Sequence, residues 1–323
     1  MRTISSTVGI DVGGTTTQAV LRSNQGKVTH SHRVATTTPG GEAVLEAVRA
    51  AVEDFDLSSV TGVGVGIPGQ VDSSNGTVRW AVNLGIDENP FPLGERISSM
   101  LDCPVLVEND VRAAAVGVYE SVRASGEPVG DLALISLGTG ISAGVVIEGS
   151  LHRGSTGMAG EIGHVVVEPD GLLCRCGQRG CLETVAAGPA IAALWPHGAA
   201  GGAASSLFAS AAGGDPDAQV LAAQVTQHLA KAIHWLAAAY DVSTIYLGGG
   251  VATAGPPFLE AVREALVRAA GNSNLAAQTL APERVRLAPE GDHHGAVGAA
   301  VLAARQFVLA LATEKSPTMG GDE

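Results

Sequence analysis

The sequence predicts a mixed α/β fold organised in two domains. Short runs rich in Val and Ile, each followed by glycine, are typical of buried strands and span residues 5–11, 62–67, 105–108, 132–138 and 244–249. Apolar residues at helical spacing lie between or after these runs, over 42–54, 111–123, 218–240, 257–269 and 295–312. The chain of 323 residues also exceeds the size of about 250–300 residues at which a single core stops growing.

Two segments with the same pattern support a division into two halves. Residues 9–21 (GIDVGGTTTQAVL) and 136–149 (SLGTGISAGVVIEG) each read as strand, Gly/Thr-rich turn and strand. Either one alone fits an ordinary tight β-turn. As a pair they suggest two related domains whose glycine tips bring backbone N–H groups close to phosphate. We expect an N-terminal domain over 1–118, completed by the C-terminal helix at about 296–312, and a second domain over 119–295.

The charge balance argues against nucleic acid and membrane surfaces as partners. Nineteen basic and 32 acidic residues give a net charge of −13, which repels phosphate backbones and anionic lipid. The first residues contain no apolar signal-peptide region, so we expect a cytoplasmic protein. The stretch 184–214 lacks Asp, Glu, Lys and Arg, but proline and many glycines interrupt it. We therefore expect loosely specified helix and loop over 186–218 rather than a membrane span.

Phosphate-binding motifs of two other folds do not fit the sequence. Residues 64–69 (GVGIPG) match G-x-G-x-x-G, but that motif must open a helix, whereas Pro68 and the following QVDSSNGTVRW predict a turn and another strand. The sequence contains no G-x-x-x-x-G-K-[ST] motif. Any bound phosphate is therefore assigned to the glycine hairpins.

Three of the four cysteines lie close together and predict a metal site. Cys174, Cys176 and Cys181 supply three thiolates on a short polar loop, and His164 lies ten residues before the first of them, at the start of the predicted strand HVVVE. In a reducing compartment this set is typical of a closed, tetrahedral Cys3His zinc site with a structural role. A C-x-C disulfide is disfavoured by strain, and unrelated core thiols are disfavoured by the polar loop. We expect Cys103 to be a buried small hydrophobe.

Eight short motifs follow one another along the chain: DVGGT at 11–15, GIPG at 66–69, NLG at 83–85, VEND at 107–110, LGTG at 137–140, GEIGH at 160–164, DGLLCRCGQRGCLE at 170–183 and LGGG at 247–250. In this order, and with the zinc loop, the set resembles the ROK family, which comprises bacterial sugar kinases and sugar-responsive repressors. The resemblance covers essentially the whole chain. It implies the two-domain actin/hexokinase-like (ribonuclease H-like) fold, in which two α/β domains close over a cleft.

The resemblance implies roles for several polar residues at a sugar site. Asp110, between a strand and a helix, would be the general base that accepts the hydroxyl proton, and Asn109 would bind neighbouring sugar hydroxyls. From the residues alone, both also fit as helix N-caps. Glu161, His164 and Glu183 would hydrogen-bond the sugar ring, with His164 sharing its ring nitrogens between zinc and sugar. The alternative is that His164 is a zinc ligand only and both glutamates are solvated.

The same resemblance implies an ATP site with Mg²⁺. Asp11 would organise the metal ion, through water. Gly249 and Gly250, within 248–250, and the turn at 295–298 would contact adenosine, although both also fit ordinary helix starts. The residues expected to hold the phosphates are Gly13, Gly14, Thr15 and Thr16 on the first hairpin and Gly138, Thr139 and Gly140 on the second.

We therefore expect an ATP-dependent kinase that phosphorylates the primary hydroxyl of a hexose, with glucose as the first choice of substrate. Thr16 stands where many family members have lysine, Ile86 where glucokinases often have tryptophan and Arg112 where asparagine is usual. Because Ile86 and Arg112 are expected near the sugar pocket, a C7-cyclitol or an N-acyl hexosamine is the alternative acceptor.

A sugar-responsive repressor is the less favoured alternative. Such repressors carry a helix-turn-helix module ahead of the first hairpin, whereas DVGGT begins here at residue 11, and the acidic charge is unsuited to DNA. The expected partner is a small-molecule sugar or cyclitol, with no nucleic acid and no membrane. We also expect a homo-oligomer, either a dimer or a tetramer.

Overall fold

The computed structural model describes residues 6–37, 39–198, 202–291 and 293–308, which form two compact α/β units. Unit 1 contains the described residues up to Ser125, the segment Arg153–Met158 and the described residues from Gly291 onward. Unit 2 contains Gly126–His152 and the described residues of Ala159–Glu290. The chain therefore leaves unit 1 at the end of a helix, later than the expected boundary at residue 118, and returns to it briefly at Arg153–Met158.

The strands, in chain order, are β1 (Ser6–Val12), β2 (Thr16–Ser23), β3 (Val28–Ala35), β4 (Val60–Ile67), β5 (Gln70–Asp72), β6 (Thr77–Arg79), β7 (Val105–Asn109), β8 (Leu132–Leu137), β9 (Ile141–Ile147), β10 (Ser150–His152), β11 (Thr244–Gly248) and β12 (Val285–Leu287). The helices are α1 (Gly41–Val52), α2 (Leu93–Leu101), α3 (Asp110–Ala124), α4 (Glu183–Ala186), α5 (Gly188–Leu194), α6 (Gly202–Ala212), α7 (Pro216–Tyr240), α8 (Pro256–Ala270), α9 (Asn274–Thr279) and α10 (His294–Ala303).

The elements confirm the predicted mixed α/β fold. The five strand-like runs are β1, β4, β7, β8 and β11, and the five predicted helices are α1, α3, α7, α8 and α10. The last of these passes into a π-helical turn at Ala304–Val308, and residues 309–312 of the predicted helix lie outside the described residues. Within the described ranges, no helix combines the length and the apolar composition needed to cross a membrane.

Unit 1 is built on a five-stranded mixed sheet of order β3-β2-β1-β4-β7. The β1–β2 pair is antiparallel, as the first hairpin pattern predicts, whereas β1, β4 and β7 run parallel. The carboxyl ends of the three parallel strands therefore lie at one edge of the sheet, and Asp11, Gly66 and Glu108 occupy equivalent positions there. Strands β5 and β6 form a separate small antiparallel pair after β4, so GVGIPG does not open a helix.

Helix α10 packs on the backbone of unit 1 at glycine positions. A Cβ atom at Gly9 of β1 or Gly64 of β4 would overlap carbonyl oxygens of α10. A Cβ at Gly117 of α3 would overlap the carbonyl oxygen of His294, and one at Gly298 of α10 would overlap the carbonyl oxygen of Ala113. Because there is no room for even a methyl group, these glycines fix how closely α10 approaches the sheet and α3.

Unit 2 contains a second five-stranded sheet, of order β10-β9-β8-β11-β12. Strands β8 and β9 form the second predicted hairpin, and β8, β11 and β12 run parallel. Helices α7 and α8 contribute most of the helical side of its core, which includes an edge-to-face contact between Phe208 and Phe258 with ring centroids 5.0 Å apart. The alanine- and glycine-rich stretch 186–218 holds α5 and α6, joined by residues that include the undescribed 199–201.

Candidate active site

Asn109 and Asp110 lie at the junction of β7 and α3. Asn109 is the N-cap of α3, since its Oδ1 atom accepts hydrogen bonds from the N–H groups of Val111 at 3.1 Å and Arg112 at 3.2 Å. Its Nδ2 atom lies 3.4 Å from the carbonyl oxygen of Gly69. Asn109 therefore fulfils the capping role, and its amide oxygen is already occupied; a ligand would have to be bound through Nδ2.

Asp110 is the first residue of α3 and is partly exposed. One carboxylate oxygen accepts the N–H of Val111 at 2.9 Å. The carboxylate also lies at the positive end of the helix dipole, which fixes its orientation and suits an anion. The N-cap alternative thus applies to Asn109, while Asp110 offers a carboxylate at the sheet edge.

Asp11, near the end of β1, lies at the same sheet edge and has a strongly perturbed carboxyl group. Burial raises the pKa of Asp11 to about 7; the negative charge of Asp110 adds to the rise, and Arg33 opposes it. Gly295, at the start of α10, packs directly on the Asp11 carboxylate, where a Cβ atom would overlap it. Two neighbouring carboxylates of this kind form a donor set that a hard divalent cation such as Mg²⁺ would stabilise.

A buried charged cluster is centred on Glu108, at the same sheet edge. Glu108, which is 1% exposed, accepts the N–H of Asn109 at 2.9 Å and a hydrogen bond from Nε of Arg153 at 2.5 Å. Arg112, which is 3% exposed, forms an ion pair with Glu108 at 3.0 Å and donates a hydrogen bond to the carbonyl oxygen of Gly157. Glu108 therefore links β7 and the start of α3 to the returning segment Arg153–Met158 inside unit 1.

The two positions expected near the sugar pocket lie in the interior of unit 1. Arg112 is used in the Glu108 cluster, and Ile86, which is 5% exposed, belongs to the hydrophobic core. That these side chains lie near the sugar stays a prediction, because burial within unit 1 does not exclude a place in the wall of a pocket: Asn109 is equally buried. Both side chains have partners within unit 1: an ion pair for Arg112 and hydrophobic packing for Ile86.

The first glycine tip connects β1 and β2. Gly13 donates its N–H to the carbonyl oxygen of Thr16 at 2.8 Å, and Thr15 and Thr16 are exposed. Neither Gly13 nor Gly14 has a positive φ, and a Cβ at Gly14 would make only an ordinary contact of 3.4 Å with Asn83. The fold itself does not require glycine at position 14, which suits a backbone that a ligand approaches closely.

The second tip and the turn after β11 each contain one glycine that the fold requires and one that it does not. Nothing lies within 4 Å of a Cβ built at Gly138 or Gly250, and neither residue has a positive φ. Gly140 and Gly249, by contrast, have structural reasons: a Cβ at Gly140 would lie 2.5 Å from the carboxylate of Glu183, and Gly249 has a φ of 82°. Thr139 between the two tip glycines is exposed. Gly138 and Gly250 are therefore the positions of unit 2 where the backbone is open to a ligand.

Glu183 begins α4 and is held by protein groups rather than by solvent. One carboxylate oxygen accepts the N–H of Ile141 at 3.1 Å, and the other lies 3.3 Å from Arg175 of the cysteine loop. The side chain is 14% exposed. The alternative of a solvated glutamate is therefore wrong for Glu183, which joins the second glycine tip to the cysteine loop.

The GEIGH segment packs directly against β9. Cβ atoms at Gly160 and Gly163 would overlap carbonyl oxygens of Ala143 and Ile141, and Gly160 has a φ of 95°. Glu161 immediately precedes a 3₁₀ turn at Ile162–His164 and is partly exposed. The two glycines thus fix the positions of Glu161 and His164 relative to the β8–β9 hairpin.

The four predicted zinc ligands come together in unit 2. The ligand atoms of His164, Cys174, Cys176 and Cys181 all lie within 4.8 Å of one another. Nδ1 of His164 is 3.6 Å from Sγ of Cys174, and the sulfur atoms of Cys176 and Cys181 are 3.6 Å apart. Zn–S bonds of about 2.3 Å in a tetrahedral site separate two ligand atoms by a similar distance. The donor set and its geometry fit Zn²⁺.

Nδ1 is the ring nitrogen of His164 that contacts the cysteine cluster, at Sγ of Cys174. Burial, followed by the neighbouring Cys176 thiol, raises the pKa of Cys181 to about 12, so this thiol resists ionisation without a cation. Bound Zn²⁺ would reverse this effect by coordinating the thiolates.

The predicted strand HVVVE is wrong. The N–H groups of Val167 and Glu168 both donate to the carbonyl oxygen of Gly180, so only an isolated β-bridge forms, at Val166.

Comparison with known proteins relates the whole chain to sugar kinases. A model described as the ROK family matches residues 7–306. The chain is 34% identical over 319 residues to the glucokinase of Streptomyces coelicolor, which covers 92% of this chain and 97% of the relative. It is 32% identical over 309 residues to the N-acetylmannosamine kinase of Salmonella typhimurium, which covers 92% and 98%.

Among solved structures, a ROK family glucokinase from Streptomyces griseus in complex with glucose and AMPPNP is similar to this chain. The TM-score is 0.74 at 33% sequence identity, and the match covers 93% of this chain and 100% of that one.

The cysteine loop leads to a prediction about metal content. Protein purified without chelator should contain about one zinc ion per chain, because the Cys3His set is complete. Cys176→Ala should lower both zinc content and the melting temperature, whereas Cys103→Ala, which alters a cysteine outside the cluster, should leave zinc content unchanged. Elemental analysis and thermal unfolding measure these effects. Wild-type protein without zinc would refute the site.

The raised pKa of Asp11 leads to a prediction about pH. The unfolded chain ionises this group near its ordinary value of 3.8, but the folded protein does so only near 7, so its contribution to stability is present below about pH 4 and is lost as pH rises to 7. Asp11→Asn should therefore raise the melting temperature at pH 8 and not at pH 4, without added Mg²⁺ or nucleotide. Asp54→Asn, at an exposed position, should show no such pH dependence. An equal effect of Asp11→Asn at both pH values would contradict the assignment.

Proposed function

The chain belongs to the ROK family, and from this premise we propose that it is an ATP-dependent kinase that phosphorylates the primary hydroxyl of a hexose, with glucose as the first substrate. Family membership confirms the expected actin/hexokinase-like fold class. The observation that carries the proposal is the partly exposed carboxylate of Asp110 at the sheet edge that also holds Asp11. Relatives named glucokinase, and a related structure with glucose and AMPPNP, support the choice of donor and acceptor.

Asp110 is the proposed general base. As the oxygen of the acceptor hydroxyl forms a bond to the γ-phosphorus, its proton passes to a carboxylate oxygen of Asp110, and the bond from the γ-phosphorus to the bridging oxygen breaks to release ADP. The Val111 N–H and the start of α3 hold the carboxylate in one orientation. Positioning and charge, rather than a covalent intermediate, supply the catalysis.

The nucleotide is assigned to the glycine tips. Gly13, Gly14, Thr15 and Thr16 in unit 1, and Gly138, Thr139 and Gly140 in unit 2, would contact the phosphates through backbone N–H and hydroxyl groups. Gly249 and Gly250 would lie near the adenosine, with Gly250 the more open of the two. Asp11 would hold Mg²⁺ through water, and the ion would neutralise charge on the phosphates.

The acceptor is assigned to Asn109, Glu161, His164 and Glu183. Asn109 would donate from Nδ2, because its Oδ1 caps α3. His164 would bind zinc through Nδ1 and present Nε2 to a sugar oxygen, which gives the zinc loop the task of orienting that ring. Glu183 would accept from a hydroxyl with its remaining lone pairs.

An N-acyl hexosamine is the second candidate acceptor, since a relative named N-acetylmannosamine kinase is 32% identical over 92% of this chain. A C7-cyclitol stays the other alternative acceptor, and it rests on the departures at Ile86 and Arg112, both of which are buried in unit 1. The named relatives are kinases, which disfavours the repressor alternative. We also propose that the protein is cytoplasmic and forms a homo-oligomer, either a dimer or a tetramer.

The role of Asp110 is tested by Asp110→Asn. The amide cannot accept the proton, so kcat should fall by at least about 100-fold, while the acceptor KM and the melting temperature change little. Asp54→Asn should retain wild-type turnover. A coupled ADP-release assay across hexoses and hexosamines measures both variants. A loss of less than about tenfold in Asp110→Asn would show that this carboxylate is not the base.

A further inference from the structure

Trp80 has an unusual backbone conformation. Four non-glycine residues of the described chain have a positive φ: Trp80 at 53°, Asp102 at 49°, Glu148 at 50° and Asp241 at 46°. Asp102 and Asp241 are the C-caps of α2 and α7, where left-handed backbone is common, and Glu148 lies in the turn between β9 and β10. Trp80 follows β6 and is neither a helix C-cap nor part of a turn between two paired strands. A bulky residue held in this region is a reason to look for function.

The contacts of Trp80 hold it in place while leaving its ring accessible. Its N–H donates to the carbonyl oxygen of Asp87 at 2.6 Å, and the guanidinium carbon of Arg79 lies 4.4 Å from the centre of its ring. Arg79 is itself held by a hydrogen bond from Nε to Oε1 of Gln70 at 2.8 Å. The Trp80 residue is nevertheless 51% exposed. The ring is thus both oriented and available to a ligand.

The backbone on either side of Trp80 packs against the partner of Asn109. A Cβ atom at Gly69 would lie 2.8 Å from the carbonyl oxygen of Arg79 and 2.9 Å from the Cα of Ala81. The carbonyl oxygen of Gly69 is the atom that Nδ2 of Asn109 contacts at 3.4 Å. One shared residue, Gly69, therefore connects Trp80 to the strand end that carries the proposed base.

Two further exposed apolar side chains accompany Trp80 in unit 1. Val82, two residues along the chain, is 67% exposed, and Met158 is 44% exposed. The sulfur of Met158 accepts a hydrogen bond from Nε2 of Gln70 at 3.3 Å, and the other end of the Gln70 amide holds Arg79. Through Gln70, Met158 is thus linked to Arg79, the residue that stacks on Trp80.

We propose that Trp80 is a specificity-determining residue whose indole ring forms an apolar platform for the ring of the acceptor; this inference rests on the proposed kinase function. A pyranose or cyclitol presents C–H groups on one face and hydroxyls around its edge. The negative face of an aromatic ring attracts such C–H groups, while polar residues bind the edge. The link to Asn109 through Gly69 favours the acceptor over the nucleobase as occupant.

The test separates loss of the ring from disturbance of the backbone. Trp80→Phe keeps an aromatic face, Trp80→Ala removes it, and Trp80→Asn removes it with a residue that tolerates left-handed backbone. Trp235, which is 46% exposed on α7, provides the matched control as Trp235→Ala. The acceptor KM, the ATP KM, kcat and the melting temperature are measured for each variant.

Trp80→Ala and Trp80→Asn should raise the acceptor KM by about tenfold, with kcat and the ATP KM within about twofold of wild type. Trp80→Phe should retain most of the affinity, and Trp235→Ala should match wild type. Trp80→Asn should melt no lower than Trp80→Ala, because asparagine fits the backbone better. An unchanged acceptor KM in both ring-deleted variants overturns the proposal, as does a rise in the ATP KM instead.

A binding measurement keeps this test independent of the proposed reaction. Glucose or N-acetylmannosamine added without ATP should change the tryptophan fluorescence of the wild type and of Trp235→Phe but not of Trp80→Phe. If the wild type phosphorylates no hexose or hexosamine, the proposed function fails, and the fluorescence titration still decides whether Trp80 binds a sugar ring. A fluorescence change that persists in Trp80→Phe overturns the platform.

Discussion

Contact between the backbone of α10 and glycines of β1, β4 and α3 sets the geometry on which the candidate site of unit 1 depends. At Gly9, Gly64, Gly117 and Gly298 no side chain fits, so α10 approaches the sheet and α3 as closely as backbones allow. The same helix places Gly295 on the carboxylate of Asp11. Helix α10 therefore covers the sheet edge at which Asp11 lies. Helix α3, which begins with Asp110, starts at the same edge.

Two carboxylates at equivalent positions of the unit 1 sheet, Glu108 and Asp11, differ in how their charge is compensated. Glu108 is buried, and Arg112 and Arg153 compensate it within the protein. Burial and the charge of Asp110 raise the pKa of Asp11, and Arg33 only partly opposes the rise. The protein therefore neutralises the structural carboxylate of Glu108 with its own arginines. The charge of Asp11, where a metal ion and phosphates are expected, is only partly compensated. Such incomplete compensation is common at functional sites.

Local patterns in the sequence predict those features that depend on neighbouring residues. Val- and Ile-rich runs gave the strands, and the Cys174-x-Cys176 spacing with Cys181 and His164 gave the ligand cluster. The sequence analysis did not predict contacts between residues that are far apart along the chain. The burial of Arg112 depends on Glu108 and on the carbonyl of Gly157, which lies far along the chain, and no local pattern reveals that pairing.

One further error and one feature that was not predicted have equally specific causes. The run HVVVE has strand composition, but two of its N–H groups share the single carbonyl oxygen of Gly180, so no ladder forms. The left-handed backbone of Trp80 has no signal in the sequence, because tryptophan rarely adopts it. Both features arise from tertiary contacts that override local preference.

The position of the transferred phosphate tests the account most directly. The protein is incubated with Mg·ATP and uniformly ¹³C-labelled glucose, and the product is analysed by ³¹P and ¹³C NMR. If Asp110 accepts the proton of the primary hydroxyl, the phosphorus should couple to the exocyclic CH₂ carbon and ADP should form in equal amount. A phosphate ester on a ring or anomeric hydroxyl, recognised by phosphorus that shows no coupling to the exocyclic CH₂ carbon, or ADP formed without any sugar phosphate, would contradict the proposed reaction.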